Sequence, residues 1–330
     1  RPVLRLCAHQ CRVSDLRTEQ IHVAAGAVED HQGRILITRR PDAVHQGGLW
    51  EFPGGKLELG ETPLEGLARE LREELGIRVL SSRPLIRVHH DYGDRRILLD
   101  VHRVTAFAGD PSGCEGQPMA WAHPDDMAPE TFPAADRPVI SALRLPELYL
   151  ITGQDPSVPD RFLERLSRAL SGGARLVQLR AHALGNAEYA DLTESAFRLC
   201  ERHGARLLLN RAPSLVRDLP CHGMHLTASR LAGLTRRPLD GRRVVGASCH
   251  GAEDLARAAL LGLDYVLLSP VLATTSHPGA RPLGWEGFAR LVEAASLPVY
   301  ALGGLGPPDL DQAFSKGGQG VAAIRGLWPD

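Results

Sequence analysis

The sequence predicts two folds in series, an α+β domain followed by an eight-stranded parallel (β/α)8 barrel. Three observations carry that expectation. The chain has 330 residues, too long for one ordinary core and close to two domains of roughly 150 residues each. A single well-capped amphipathic helix lies among apolar strands in the first half. From Leu148 onward the pattern becomes eight short apolar runs alternating with helical stretches. The domains are accordingly placed at 18–136 and 148–330, with a linker and short helix at 137–147 and a disordered leader at 1–17.

In the first domain, Ile21–Val28 and Arg34–Thr38 are apolar strands joined by the polar turn Glu29–Gly33, which predicts a hairpin. A helix is expected over Thr62–Leu75. Thr62 suits the N-cap, Pro63 the first helical position, Glu65 completes a capping box, and Gly76 suits a left-handed exit. Leu64, Leu67, Ala68, Leu71 and Leu75 recur at helical spacing and form a stripe for burial. Leu85–His89, Ile97–Val104 and Met119–His123 are further strands. The eight barrel strands are expected at Leu148–Thr152, Leu176–Arg180, Leu207–Asn210, Gly223–Leu226, Val244–Ser248, Tyr265–Ser269, Val299–Gly303 and Val321–Ile324. Amphipathic stretches such as Asp160–Leu170, Glu188–His203, Ala252–Leu261 and Trp285–Ala295 supply the intervening helices.

Composition narrows the functional classes. Lys and Arg number 38 against 39 Asp and Glu, so no global basic field exists to hold a nucleic-acid backbone, and direct DNA binding is not expected. No apolar run approaches the roughly 20 residues that a spanning helix needs, so a membrane partner is not expected either. The six cysteines are scattered, which fits a reducing, cytoplasmic setting better than a disulfide scaffold. Cys7 and Cys11, with His9 between them, lack a matching second pair and do not read as a zinc site. The Arg-rich start, Arg1–Asp15, lacks the apolar core and cleavage site of a signal peptide.

Glu70, Glu73 and Glu74 stand at i, i+3 and i+4, so three like charges crowd one edge of the helix and repel. A hard divalent cation such as Mg2+, which takes carboxylate oxygens together with substrate phosphates, would offset that repulsion. The plain alternative is a solvated acidic face with Arg69 and Arg72 interleaved as ion-pair partners.

The full spacing decides between them. Gly55, five residues, Glu61, seven residues, then Arg69 through Ile77 resembles the Nudix box at each specified position. Thr38, Arg39 and Arg40, together with Leu49–Lys56, resemble the MutT branch of Nudix hydrolases, so an α+β Nudix fold is expected. The resemblance implies that Glu70, Glu73, Glu74 and the Gly54 carbonyl ligate Mg2+, with Mn2+ as an alternative, and that Glu61 and Arg69 support them. It places Arg40 and Lys56 at the substrate phosphates, with Glu51 and Phe52 in the same substrate-binding motif. Glu115, in Cys114–Pro118, matches a loop that adds a carboxylate as metal ligand or base. The implied reaction converts a nucleoside triphosphate, such as 8-oxo-dGTP, to a monophosphate and pyrophosphate. Asp136 stands where the MutT pattern has a base-reading Asn, and an ionised carboxylate cannot donate as an amide does. A helix N-cap is the competing role for Asp136.

From Leu148 the chain resembles thiamine-phosphate synthase and the related TenI thiazole tautomerase, which implies a TIM barrel. Leu148–Thr152 resembles the opening strand, Val177, Gln178, Leu179 and Arg180 the pyrimidine-binding strand, and Ala301–Leu305 a late phosphate-binding turn. Gly303, Gly304, Arg325 and Gly326 form the candidate anion cradle, although turn geometry alone also selects glycine. Asn210 keeps one position of the synthase pattern, but Arg211 stands where the synthase has an Asp and Thr227-Ala228-Ser229-Arg230 where it has acidic residues, so both magnesium carboxylates are missing; Arg211 and Arg230 replace some of the charge but not the metal geometry. His182 and His277 replace two lysines. Synthase activity is therefore doubtful. Two readings stay open: a tautomerase-like remnant in which His250, beside Ser248, moves protons, and a module that only binds a thiamine-related phosphate. A thiamine-pathway pyrophosphate as the Nudix substrate is a further alternative.

Overall fold

The computed structural model describes residues 20–153, 158–274 and 279–329. The expected leader, with Cys7, His9 and Cys11, and the loop residue His277 lie outside the described residues. The first domain consists of β1 (Gln20–Val28), β2 (Ile35–Arg39), β3 (Trp50–Glu51), β4 (Gly54–Lys56), α1 (Pro63–Leu75), β5 (Arg78–Asp91), β6 (Arg96–Ala108), β7 (Met119–Ala122) and α2 (Arg137–Arg144). Its strands form a sheet of order β4-β1-β6-β5 and a second of order β3-β2-β7. Period-two alternation along β1 explains the layering. Ala24 and Val28 pack with Leu67, Leu71 and Leu75 of α1. Ala25 and Ala27 face the opposite way, toward Val139 and Ile140 of α2. The sheets are thus sandwiched between the two helices.

The expected hairpin of β1 with β2 does not form. β1 pairs antiparallel with β4 on one edge and parallel with β6 on the other, so it has no free edge to offer. β2 pairs instead with β3 and β7, and the two strands meet only at the single bridge Glu29↔Ile35. The turn between them is held by Asp30, whose carboxylate accepts from the Gln32 and Arg34 amides at 2.9 Å each.

The second domain follows as β8 (Leu148–Ile151), α3 (Pro159–Ser171), β9 (Leu176–Leu179), α4 (Asn186–Arg202), β10 (Arg206–Leu209), α5 (Pro213–Val216), β11 (Gly223–Leu226), α6 (Ala228–Ala232), β12 (Val244–Cys249), α7 (Ala252–Leu260), β13 (Tyr265–Leu268), α8 (Gly284–Glu293), β14 (Val299–Leu302), α9 (Leu310–Ser315) and β15 (Gly320–Ala323). All eight expected strands are present, and they close into one parallel barrel through the pairing of β15 with β8. Outward side chains such as Val177, Leu207 and Val245 pack under the helices. The inward ones include Tyr149, Tyr265 and Tyr300, which fill the interior with Leu208 and Leu267. Among the described residues, no helix is long and apolar enough to cross a membrane.

The joint between the domains is short. α2 buries Val139, Ile140 and Ala142 in the first domain's core, whereas Leu145 already packs among the barrel's interior residues. Gln319, 2% exposed, donates to the carbonyls of Ala142 at 3.0 Å and Leu145 at 2.9 Å. Arg83 of β5 pairs with Glu147 at 2.7 Å and lies over the Phe314 ring of α9. Arg206 reaches Asp125 at 2.7 Å.

Candidate functional site

Local sequence fixes α1 at both ends. The Thr62 hydroxyl accepts from the Glu65 amide at 3.3 Å while the Glu65 carboxylate accepts from the Thr62 amide at 2.9 Å. Gly76 exits with φ 69°. Leu67, Leu71 and Leu75 are fully buried, but Leu64 is 48% exposed, contrary to the expected stripe. The first turn projects past the sheets, and Leu57 packs over Gly66 in its place: a Cβ on Gly66 would lie 2.3 Å from the Leu57 side chain.

That anchoring turns Arg69 and the three acids toward β4. Arg69 holds Glu61 through both carboxylate oxygens, at 2.8 and 2.9 Å. Its other contacts are Glu70 at 2.8 Å, Glu73 at 3.3 Å and the Lys56 carbonyl at 3.1 Å. This bidentate guanidinium pairing draws the Glu61 pKa down to about 2. Glu70 lies so close to β4 that a Cβ on Gly55 would sit 2.3 Å from its carboxyl carbon. Glu74 accepts from the Gly54 amide at 3.1 Å. Burial, followed by the charges of Glu70, Glu51 and Glu115, pushes the Glu74 pKa up to about 7 against that hydrogen bond. The loop carrying Glu115 is pinned to the end of α1, because the Cys114 amide and the Gln117 side chain both donate to the Glu74 carbonyl, at 2.9 and 3.1 Å.

The acids share an edge without sharing a centre. Glu73 is 59% exposed and turned to Arg69, Glu115 is exposed on its loop, and among the described residues no three acidic, His or Cys side chains surround a common point.

Beside this edge lies a cleft of about 350 Å³ whose lining includes Arg40, Glu51, Phe52, Gly54, Lys56, Glu74, Tyr92 and Asp136. Arg40 pairs with Glu51 and donates to the His45 carbonyl at 3.1 Å. Burial raises the Glu51 pKa despite that pairing. Phe52 is 3% exposed and stacks on Phe132 at 5.7 Å, so most of its ring belongs to the core. Asp136 does not cap α2: it ends a 3-10 turn in helical conformation, φ −84° and ψ −18°, and makes no side-chain cap bond. Asp136 is 7% exposed and lies in the cleft wall. Burial first, then the nearby Glu51 charge, raises its pKa to about 8 over the opposing pull of Arg40 and the Phe52 amide.

In the barrel, Gly303, Gly304, Arg325 and Gly326 come together around a cavity of about 320 Å³ at the ends of β13, β14 and β15. His250 and Ser248 do not act on one another. The exposed His250 ring engages the Ser269 carbonyl at 2.8 Å, while the Ser248 hydroxyl meets His225 at 2.8 Å inside the barrel. His225 was not singled out by the sequence: one histidine in an apolar strand carries no signal. It contacts the Tyr265 hydroxyl at 3.1 Å, which contacts Tyr149 at 2.8 Å, which accepts from Gln178 at 3.1 Å. Burial, with a smaller push from Arg230, lowers the His225 pKa to about 3, so it is neutral near pH 7.

The two halves match two families. The NUDIX domain matches residues 24–142, and thiamine monophosphate synthase matches residues 148–327. The chain belongs to both families. An 8-oxo-dGTP diphosphatase of Escherichia coli is 36% identical over 126 residues, covering 38% of this chain and 98% of the relative. A thiamine-phosphate synthase of Thermus thermophilus is 33% identical over 190 residues, covering 56% of this chain and 89% of the relative. A solved structure from work on MutT of Aliivibrio salmonicida and Vibrio cholerae is 40% identical, with a TM-score of 0.33, over 38% of this chain and 97% of that one. The Nudix half thus holds the acid edge and its cleft, and the synthase-like half holds the glycine cradle and the polar barrel interior.

Proposed function

We propose that the Nudix half is a Mg2+-dependent pyrophosphohydrolase that converts nucleoside triphosphates, oxidised purines such as 8-oxo-dGTP among them, to monophosphate and pyrophosphate. The observation that carries this reading is the edge on which Arg69 holds Glu70 and Glu73 beside Glu74, lying against a cleft with Arg40 and Lys56 on its wall. The donor set fits a hard divalent ion. It is all oxygen, and Glu74, whose pKa is raised first by burial and then by the charges of Glu70, Glu51 and Glu115, lies among acids whose repulsion a cation would relieve. Glu70, Glu73, Glu74, Glu115 and the Gly54 carbonyl would hold it. When bound, such a cation neutralises the polyphosphate and makes hydroxide available from water near neutral pH. Arg69 orients the acids, and Arg40 and Lys56 bind and align the phosphates so that water adds at phosphorus as the bridging P–O bond breaks.

Asp136 supports recognition of the base. With its pKa raised to about 8, the carboxyl is neutral at pH 7 and can donate a hydrogen bond as an Asn amide does. Preference for 8-oxo-dGTP over dGTP is therefore expected to hold below pH 8 and decline as Asp136 ionises above it. In Asp136→Asn the decline should vanish. Steady-state kcat/KM for both nucleotides across pH 6 to 9 tests this, and equal efficiencies for the two nucleotides throughout would rule out the preference for the oxidised purine.

For the synthase-like half we propose a module that binds a thiamine-related phosphate without turning it over. Arginines where a metal-dependent synthase carries carboxylates favour that reading. Heat of binding with thiamine phosphate and no product supports it, and product formation overturns it.

A further inference from the structure

We infer that the barrel mouth binds a diphosphate group directly on Arg180, Arg211 and Arg230, with no divalent cation between protein and ligand. The inference rests on the reading of the barrel as a phosphate binder and specifies the ionic form it takes.

The side chains of Arg211 and Arg230 are fixed by neutral groups, and Arg180 is held beside them by its backbone. The Arg180 amide, at the end of β9, donates to the Thr152 hydroxyl at 2.9 Å, while its Nη1 is buried without a hydrogen-bond partner. Arg211, after β10, donates to the carbonyls of Ala181 at 2.6 Å and Leu184 at 2.9 Å, and its guanidinium lies 4.3 Å from the Tyr189 ring centre. Arg211 Nε is likewise buried and unpartnered. Arg230, in α6, donates to the Asn210 side-chain oxygen Oδ1 at 2.9 Å, and the Asn210 amide nitrogen donates onward to Gln178 at 3.0 Å. These bonds tie the ends of β9, β10 and β11 into one patch.

Arg83, Arg103 and Arg237 are each matched by a carboxylate. None of the three mouth arginines has a carboxylate partner among the described residues. Three like charges held together at partly buried positions are costly unless an anion completes them. The field is felt locally: after burial, the charges of Arg180, Arg211 and Arg230 each lower the pKa of His182 beside them. A guanidinium matches phosphoryl oxygens with paired donors, and a cluster of three suits a diphosphate better than a singly charged anion. The same cluster repels a divalent cation and offers it no acidic oxygen. The charge that a metal would bring to a diphosphate is thus already built into the protein.

Calorimetry on the full chain with inorganic pyrophosphate, in EDTA and then in excess Mg2+, tests the inference. Pyrophosphate should bind in EDTA, where the Nudix half has no cation, and bind more weakly once Mg2+ sequesters the free anion. In Arg180→Gln with Arg230→Gln, binding in EDTA should fall by about tenfold or more, with circular dichroism confirming the fold. Binding that appears only on adding Mg2+ overturns this inference, and its survival in Glu73→Gln, which removes a cation ligand of the Nudix half, leaves the phosphate-binding barrel standing. No binding of pyrophosphate in either buffer overturns both. Full-strength binding by the double variant overturns the assignment to these arginines. The comparison of buffers uses the unaltered chain and so does not depend on the variants folding.

Discussion

Replacing Glu73 or Glu74 with Gln is expected to lower nucleotide turnover by roughly 100-fold or more while the protein stays folded. The two substitutions reach that result differently. Glu73 is 59% exposed and, among the described residues, pairs with Arg69 at 3.3 Å, so its loss removes charge and little packing. Glu74 is more enclosed, but Gln keeps an oxygen to accept from the Gly54 amide and has the same shape. Arg69 retains Glu61 and Glu70 in either variant. Thermal melting should therefore track the unaltered protein, and phosphate-release kinetics in Mg2+ should not. A folded variant of either kind working at the unaltered rate would remove the acids from the chemistry.

Gly54→Ala should damage the Nudix half most severely of the single substitutions at the site. Gly54 has φ +148°, and a Cβ there would lie 2.1 Å from the Ala24 carbonyl oxygen, which belongs to the rigid central strand β1. Neither the dihedral nor the backbone can yield cheaply, so the cost is on the order of 3 kcal/mol. The same shift moves the amide that holds Glu74, so activity falls together with stability. Scanning calorimetry should show a transition lowered by several degrees, with pyrophosphate binding at the barrel mouth retained. An unchanged melting profile would contradict the close approach of β4 to β1.

Some of this architecture was legible because local chemistry determines it. Thr62, Pro63, Glu65 and Gly76 mark the ends of α1 through bonds within a few residues, and parallel strands buried on both sides read as continuous apolar runs. What failed to be legible depended on distant partners. β1 and β2 look like a hairpin until β4 and β6 are seen to occupy both edges of β1. Leu64 obeys the helical period yet lies beyond the cover of the sheets. β5 runs from Arg78 to Asp91, but only its central Leu85–His89 segment carried a strand signal in the sequence. Asp136 reads equally as a cap or a cleft residue, and only its enclosure beside Glu51 separates the two. The acids could be placed on one edge from their spacing, whereas the hold of Glu70 and Glu73 on Arg69, and of Glu74 on the Gly54 amide, is a matter of side-chain conformation.

The Gln319 amide, reaching from the far end of the barrel chain to the last carbonyls of α2, makes the boundary between the halves a poor place to cut. A Nudix fragment ending after Leu145 would expose two acceptors that a neighbour now satisfies, and an isolated barrel would be left with a sequestered donor and nothing to give it to. Gene-level dissection should accordingly yield halves less robust than the tethered whole, which makes mutual support one physical reason for keeping both on a single polypeptide.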